Sequence, residues 1–152
     1  MARYMVGGRG VVTSTTQYDP EAVLWNASTV KDLYLTEVGW SSSAATTANI
    51  ALIRTTTRGT PGSTVTPDID NDRDRLLAPA SGALLDLGAF TGTLPTTAGP
   101  SMGLALLPNV AGSQFVAVFR PPIRIPAGTG LAMATSQAAA LGAGDVFFVW
   151  DE

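Results

Sequence analysis

Leu33 to Trp40 reads LYLTEVGW, and its alternation decides the class of fold. Tyr34, Thr36, Val38 and Trp40 fall on one face of an extended chain while Leu33, Leu35 and Glu37 fall on the other, the period-2 pattern of a strand. The same reading extends outward. In NIALIRTTT, Ile50 and Leu52 alternate with Ala51 and Ile53 before a β-branched, helix-averse threonine run. QFVAVF sets Phe115, Ala117 and Phe119 against Val116 and Val118, PIRIP places Ile123 and Ile125 around Arg124, and DVFFVW sets Val146, Phe148 and Trp150 against Phe147 and Val149. YMVGGRGVVTST, AVLWNA, ALLDLGAF and GLAMAT are weaker strand candidates. Gly, Pro, Ser, Asn and Asp clusters separate most of these segments, so about eight to nine strands are expected in an all-β sandwich or jelly roll. SQAAALGAG is too short and glycine-rich to stand as a helix and reads as a loop.

At 152 residues the chain is expected to be one domain, 1–152, able to bury roughly 70% of the surface its unfolded form exposes. Trp25, Trp40, Phe115, Phe148 and Trp150 are the expected anchors, with Trp25 and Trp40 equally suited to a subunit interface. There is no Cys and no His. Disulfides, thiolate nucleophiles, imidazole relays and His or Cys metal sites are thereby removed, leaving carboxylates, Lys31, tyrosines and hydroxyls for any catalysis. A formal charge of −3, with nine Lys and Arg scattered along the chain, argues against nucleic-acid binding. No run of about 18 apolar residues suggests a membrane span, and no apolar region follows the early Arg3, so a soluble, unprocessed chain is expected.

Several motifs invite chemistry and then decline it. GTPGST, Gly59 to Thr64, lacks the Lys-Ser/Thr pair of a phosphate loop and reads as a Gly-Pro turn. GGRG at Gly7 to Gly10 allows a bulge or a close backbone approach in the first strand. The NAS triplet at Asn26 fits a glycosylation sequon but carries no weight alone. Glu37 and Asp86 are the carboxylates expected in mid-strand, and a two-carboxylate hydrolase would need them to face each other. DIDNDRDR, Asp68 to Arg75, resembles the start of a calcium loop, yet an EF-hand beginning at Asp68 puts Arg73 where Gly is required and Pro79 where Glu belongs. Beginning at Asp70 gives Arg75 and Ser81, so both registers fail. No metal, cofactor or enzymatic activity is expected.

Leu33 to Asn71, LYLTEVGWSSSAATTANIALIRTTTRGTPGSTVTPDIDN, followed by the terminal DVFFVWDE, resembles the small jelly-roll decoration, or cement, proteins of tailed bacteriophage capsids. The shared pattern runs in order. A strand ending in a Gly-aromatic pair leads through a Ser/Thr/Ala-rich turn to an apolar strand, an Arg-Thr segment and a TP loop, and a strand ending in Trp and acidic residues closes the chain. The resemblance implies a jelly-roll β-sandwich that forms a homotrimer on the outer capsid surface of the virion and clamps the major capsid protein. Arg58, Asp68, Asp70, Asp72, Arg73, Asp74 and Arg75, in the long connection after the Arg-Thr segment, are then the candidate subunit or capsid contact loop, their mixed charges setting register and partner choice. The alternative expectation is a jelly-roll receptor- or glycan-binding module of a phage fibre or tail.

Overall fold

The computed structural model describes residues 2–12, 17–43, 45, 48–69, 81–135 and 142–152. Among them are eleven strands: β1 (Arg3–Val12), β2 (Pro20–Asn26), β3 (Leu33–Ser42), β4 (Ala48–Thr55), β5 (Ser63–Val65), β6 (Asp68–Ile69), β7 (Ala83–Leu87), β8 (Thr97–Leu107), β9 (Gln114–Ile125), β10 (Gly130–Thr135) and β11 (Gly142–Asp151). They form a five-stranded sheet, β6-β1-β11-β3-β9, and a six-stranded sheet, β5-β7-β2-β10-β4-β8.

The pairing identifies a jelly roll. β4 pairs with β8, β3 with β9, β2 with β10 and β1 with β11, all antiparallel, as in one long ribbon folded in half. Rolling that ribbon places successive pairs in alternate sheets, and the lateral pairs β11–β3 and β10–β4 close each sheet. β5, β6 and β7 are additions from the long β4–β8 connection: β7 extends the six-stranded sheet beside β2, β5 follows it, and β6 lies beside β1. The strand total therefore exceeds the eight to nine expected. β5 and β6 form where prolines and turn residues argued for an unpaired loop, because neighbouring β7 and β1 supply edges for them to join. β8 was not expected at all, its TAGPSMGLALL having too many turn formers for a period-2 reading. QFVAVF and PIRIP are one strand, β9, whose residues between Val118 and Ile123 lie outside the register with β3.

The opening octet departs from strict alternation in one place. Leu35 pairs with Trp150 and Glu37 with Val149, leaving Thr36 as an extra residue that donates its hydroxyl to the Val149 carbonyl at 3.0 Å. Unbroken alternation would bury either Leu33 and Leu35 or Val38 and Trp40. The bulge buries all four, so the predicted grouping of Tyr34 and Thr36 with Val38 and Trp40 is replaced by one that reverses face at Thr36. Trp40, Trp150, Tyr4 and Phe148 are the largest buried side chains, and Tyr4 stacks on its cross-strand partner Trp150 with ring centroids 5.8 Å apart. Phe115 is only partly buried against this core, and Trp25 lies outside it. It packs with Tyr18 and Phe90 over Val23, Ile53 and Ala132, a second cluster on the outer face of the six-stranded sheet.

GGRG resolves as a close approach. A Cβ on Gly10 would sit 2.3 Å from the Glu21 carbonyl oxygen, a rigid backbone atom, whereas one on Gly103 would meet nothing within 4 Å. Gly10→Ala is therefore expected to destabilise the fold by about 3 kcal/mol and Gly103→Ala to change it by less than about 0.5 kcal/mol, as read from urea unfolding midpoints.

Candidate functional site

The expected contact loop is only partly in view. Asp68 lies in β6, its backbone paired with Met5, while Asp70, Asp72, Arg73, Asp74 and Arg75 lie outside the described residues. Arg58, the other residue of that set in view, is hydrogen-bonded within the chain. Its Nε and Nη2 donate to Asp86 Oδ2 and Oδ1, both at 2.6 Å, and Nη2 also donates to Thr64 Oγ1 at 2.8 Å. Thr64 in turn donates to Asp86 Oδ1 at 2.7 Å. The network ties the segment after β4 to β5 and β7, and the Asp86 side chain is wholly buried. Gly59 at φ +71°, with backbone bonds from Thr60 to Thr93 and from Thr91 to Thr60, makes GTPGST part of the same braced turn. Arg58→Ala leaves the buried Asp86 carboxylate without its charged partner and with Thr64 as its remaining side-chain donor among the described residues, and is expected to lower stability by about 2 kcal/mol, with Arg58→Lys restoring part of it. Chemical denaturation of the three proteins measures both effects.

The carboxylates do not assemble as a hydrolase pair. Glu37 lies on the outer face of the five-stranded sheet, whereas Asp86, opposite Val23, lies on the outer face of the six-stranded one. Among the described residues no group of three or more Asp or Glu is placed to hold a metal ion. Asn26 is fully buried, its amide donating to the Lys31 and Ile125 carbonyls, so the sequon asparagine is committed to the fold.

Glu21 is the carboxylate that sequence reading missed. On β2, Ala22 pairs with Met133 and Pro20 with Ala134, making Glu21 a bulge residue and turning its side chain inward. It is 0% exposed; Oε2 accepts the Trp40 indole N–H at 2.5 Å and Oε1 has no partner among the described residues. Burial pushes its pKa up to about 8; the Trp40 hydrogen bond opposes the rise and the negative charge of Asp145 adds to it. Glu21 is thus a neutral acid at pH 7. Between the ordinary value of 4.5 and about 8, the folded chain holds a proton that the unfolded chain has released, so stability falls as pH rises through that window. Glu21→Gln is expected to flatten this decline and to be the more stable form at pH ~9, in urea unfolding followed from pH ~5 upward.

An uncovered apolar surface lies along β8, the outermost strand of the six-stranded sheet, and the turn that follows it. Of the eleven residues of β8 only Leu107 is buried. Met102, Leu106 and Val110 are 42%, 68% and 59% exposed. From Leu87 to Phe119 the sequence contains no Asp, Glu, Lys or Arg. β8 and β9 are also the outermost strands of their sheets, where soluble proteins commonly place charge to prevent association. The signal was present in the sequence as that uncharged run, but Gly99, Pro100 and Gly103 disguised it as a loop. Comparison with family models, curated proteins and solved structures finds no match.

Proposed function

We propose that this protein is a viral structural protein: a capsid decoration, or cement, protein that binds the outer surface of an assembled phage head as a homotrimer and stabilises the shell of major capsid protein. The observation that carries the reading is β8 with the turn after it, an uncharged, apolar sheet edge that the single chain leaves uncovered. Interfaces are depleted of charge at their centre, and large exposed apolar patches on soluble domains mark contact surfaces. The jelly-roll topology and the resemblance of Leu33–Asn71 and the closing DVFFVWDE to phage decoration proteins give that contact surface its setting.

No reaction is required of such a protein. A partner that binds the assembled shell better than free subunits shifts the balance toward assembly, and three linked copies turn weak individual contacts into firm attachment. A cyclic trimer closes on itself, so an apolar edge can be satisfied without open-ended fibres. The expected solution mass is that of a trimer. Met102→Lys combined with Leu106→Lys is expected to yield a monomer that keeps the wild-type circular dichroism spectrum, because both side chains are exposed. Added to undecorated shells, the wild-type protein raises their resistance to heat and the double variant does not. A wild type that leaves shells unbound ends the reading.

A further inference from the structure

On the outer face of the five-stranded sheet, register aligns two rows of side chains. Arg9, Asp145, Ser41 and Gln114 are successive cross-strand neighbours on β1, β11, β3 and β9, and the next row outward-facing along the strands is Gly7, Phe147, Gly39 and Val116. The second row has an aromatic ring between two glycines. A Cβ on Gly39 would lie 2.1 Å from Phe147 Cε1, so the ring rests over Gly39 and only a glycine accommodates it there. With side chains missing on both sides, the half-buried ring lies in a depression of about 420 Å³ that both rows line.

We propose that this depression is a carbohydrate site, with the Phe147 ring as platform for the apolar face of a neutral pyranose and the row Arg9, Asp145, Ser41 and Gln114 as partners for its hydroxyls. The rows are two residues apart along the strands, ~7 Å, which places hydroxyls at the edge of a ring stacked on Phe147 within reach of the polar row. That row offers donors from Arg9, acceptors from Asp145, and both from Ser41 and Gln114. Its charges cancel: Arg9 Nε and Nη2 hold Asp145 Oδ1 and Oδ2 at 2.9 and 3.0 Å. An ionic ligand would meet no net charge, and a purely apolar one would strip water from four polar groups without replacing it. Few polar groups around an apolar floor are the usual composition of a small-ligand site. β8 lies in the other sheet, so the depression opens away from that strand's exposed side chains.

The test uses the isolated full chain and does not depend on attachment to a shell. Its amide spectrum is followed by nuclear magnetic resonance during titration with cellohexaose, maltohexaose and chitohexaose. At least one sugar is expected to give saturable shifts at Gly7, Phe147 and Gln114. Phe147→Ala is expected to weaken that binding at least tenfold, and Gln114→Ala and Asp145→Asn several-fold each, the last two being exposed positions that keep the test valid if Phe147→Ala fails to fold. Absence of shifts at these amides with all three sugars, or unchanged binding by Gln114→Ala and Asp145→Asn, overturns the proposal. If the sugars leave the face untouched while Gln114→Ala loosens attachment to shells, the face is a protein contact and the carbohydrate assignment falls.

Discussion

The five-stranded sheet depends on a change of phase in β3. That strand lies between β11 and β9, and its apolar residues follow two incompatible alternations, Leu33 and Leu35 in one and Val38 and Trp40 in the other. Thr36 reconciles them as a single extra residue, with its hydroxyl on the Val149 carbonyl helping to close the gap in the ladder. Without the bulge, one pair would face solvent at a cost of ~1.5–3 kcal/mol per large side chain, a large fraction of the stability of an ordinary domain. The consequences spread in both directions. Upstream, the inward face aligns Leu35 with Trp150 and Ile123; downstream, it brings Trp40 to Glu21 and frees Gly39 to lie beneath Phe147.

A second bulge, at Glu21, performs the corresponding task in the opposite sheet. Gly10 and Gly144 both leave room beside Glu21: added Cβ atoms would lie 2.6 Å from Glu21 Cγ and 2.5 Å from Glu21 Oε1 respectively. A carboxyl group in that position is tolerated because it stays protonated and because Trp40 supplies one hydrogen bond, but Oε1 remains unsatisfied among the described residues. Burying an unpartnered polar oxygen opposes folding, so the contacts of the surrounding indole and strands must outweigh it. The glycine-rich character of β1 is therefore a packing requirement of its neighbours, visible in sequence as GGRG but without any indication of which atom the missing side chains make room for.

How much was legible follows from the range of each signal. Strands with short-range alternation, such as β3, β4 and β11, could be read directly, and the all-β class with them. Phase was not legible in β3, because a bulge is chosen by which residues the partner strand presents and no local period encodes it. β8 was missed for a related reason: Gly99, Pro100 and Gly103 break the local pattern, and only its pairing with β4 makes a strand of it. Among site residues, Arg58 was found by its place in a long connection, but its partner was not. A lone arginine gives no sign that a buried Asp86 lies beside it in space. Glu21 was hidden within AVLWNA and its flank, where position suggested a strand and nothing suggested an inward carboxyl.

The charge pattern, reconsidered with the fold, separates two kinds of surface. Two exposed ion pairs lie at the five-stranded sheet, Arg9 with Asp145 across it and Arg124 of β9 with Asp32 just before β3, each exposed enough to add little to stability. Such pairs fix orientation and offer hydrogen bonds while keeping the face wet. β8 and the turn after it have the reverse composition, with no charge from Leu87 to Phe119 and with Met102, Leu106 and Val110 turned to solvent. The absence of charge from that edge strand removes the usual barrier to edge association. β8 consequently has the composition of a surface that another chain covers, and the paired-charge face that of a surface left wet.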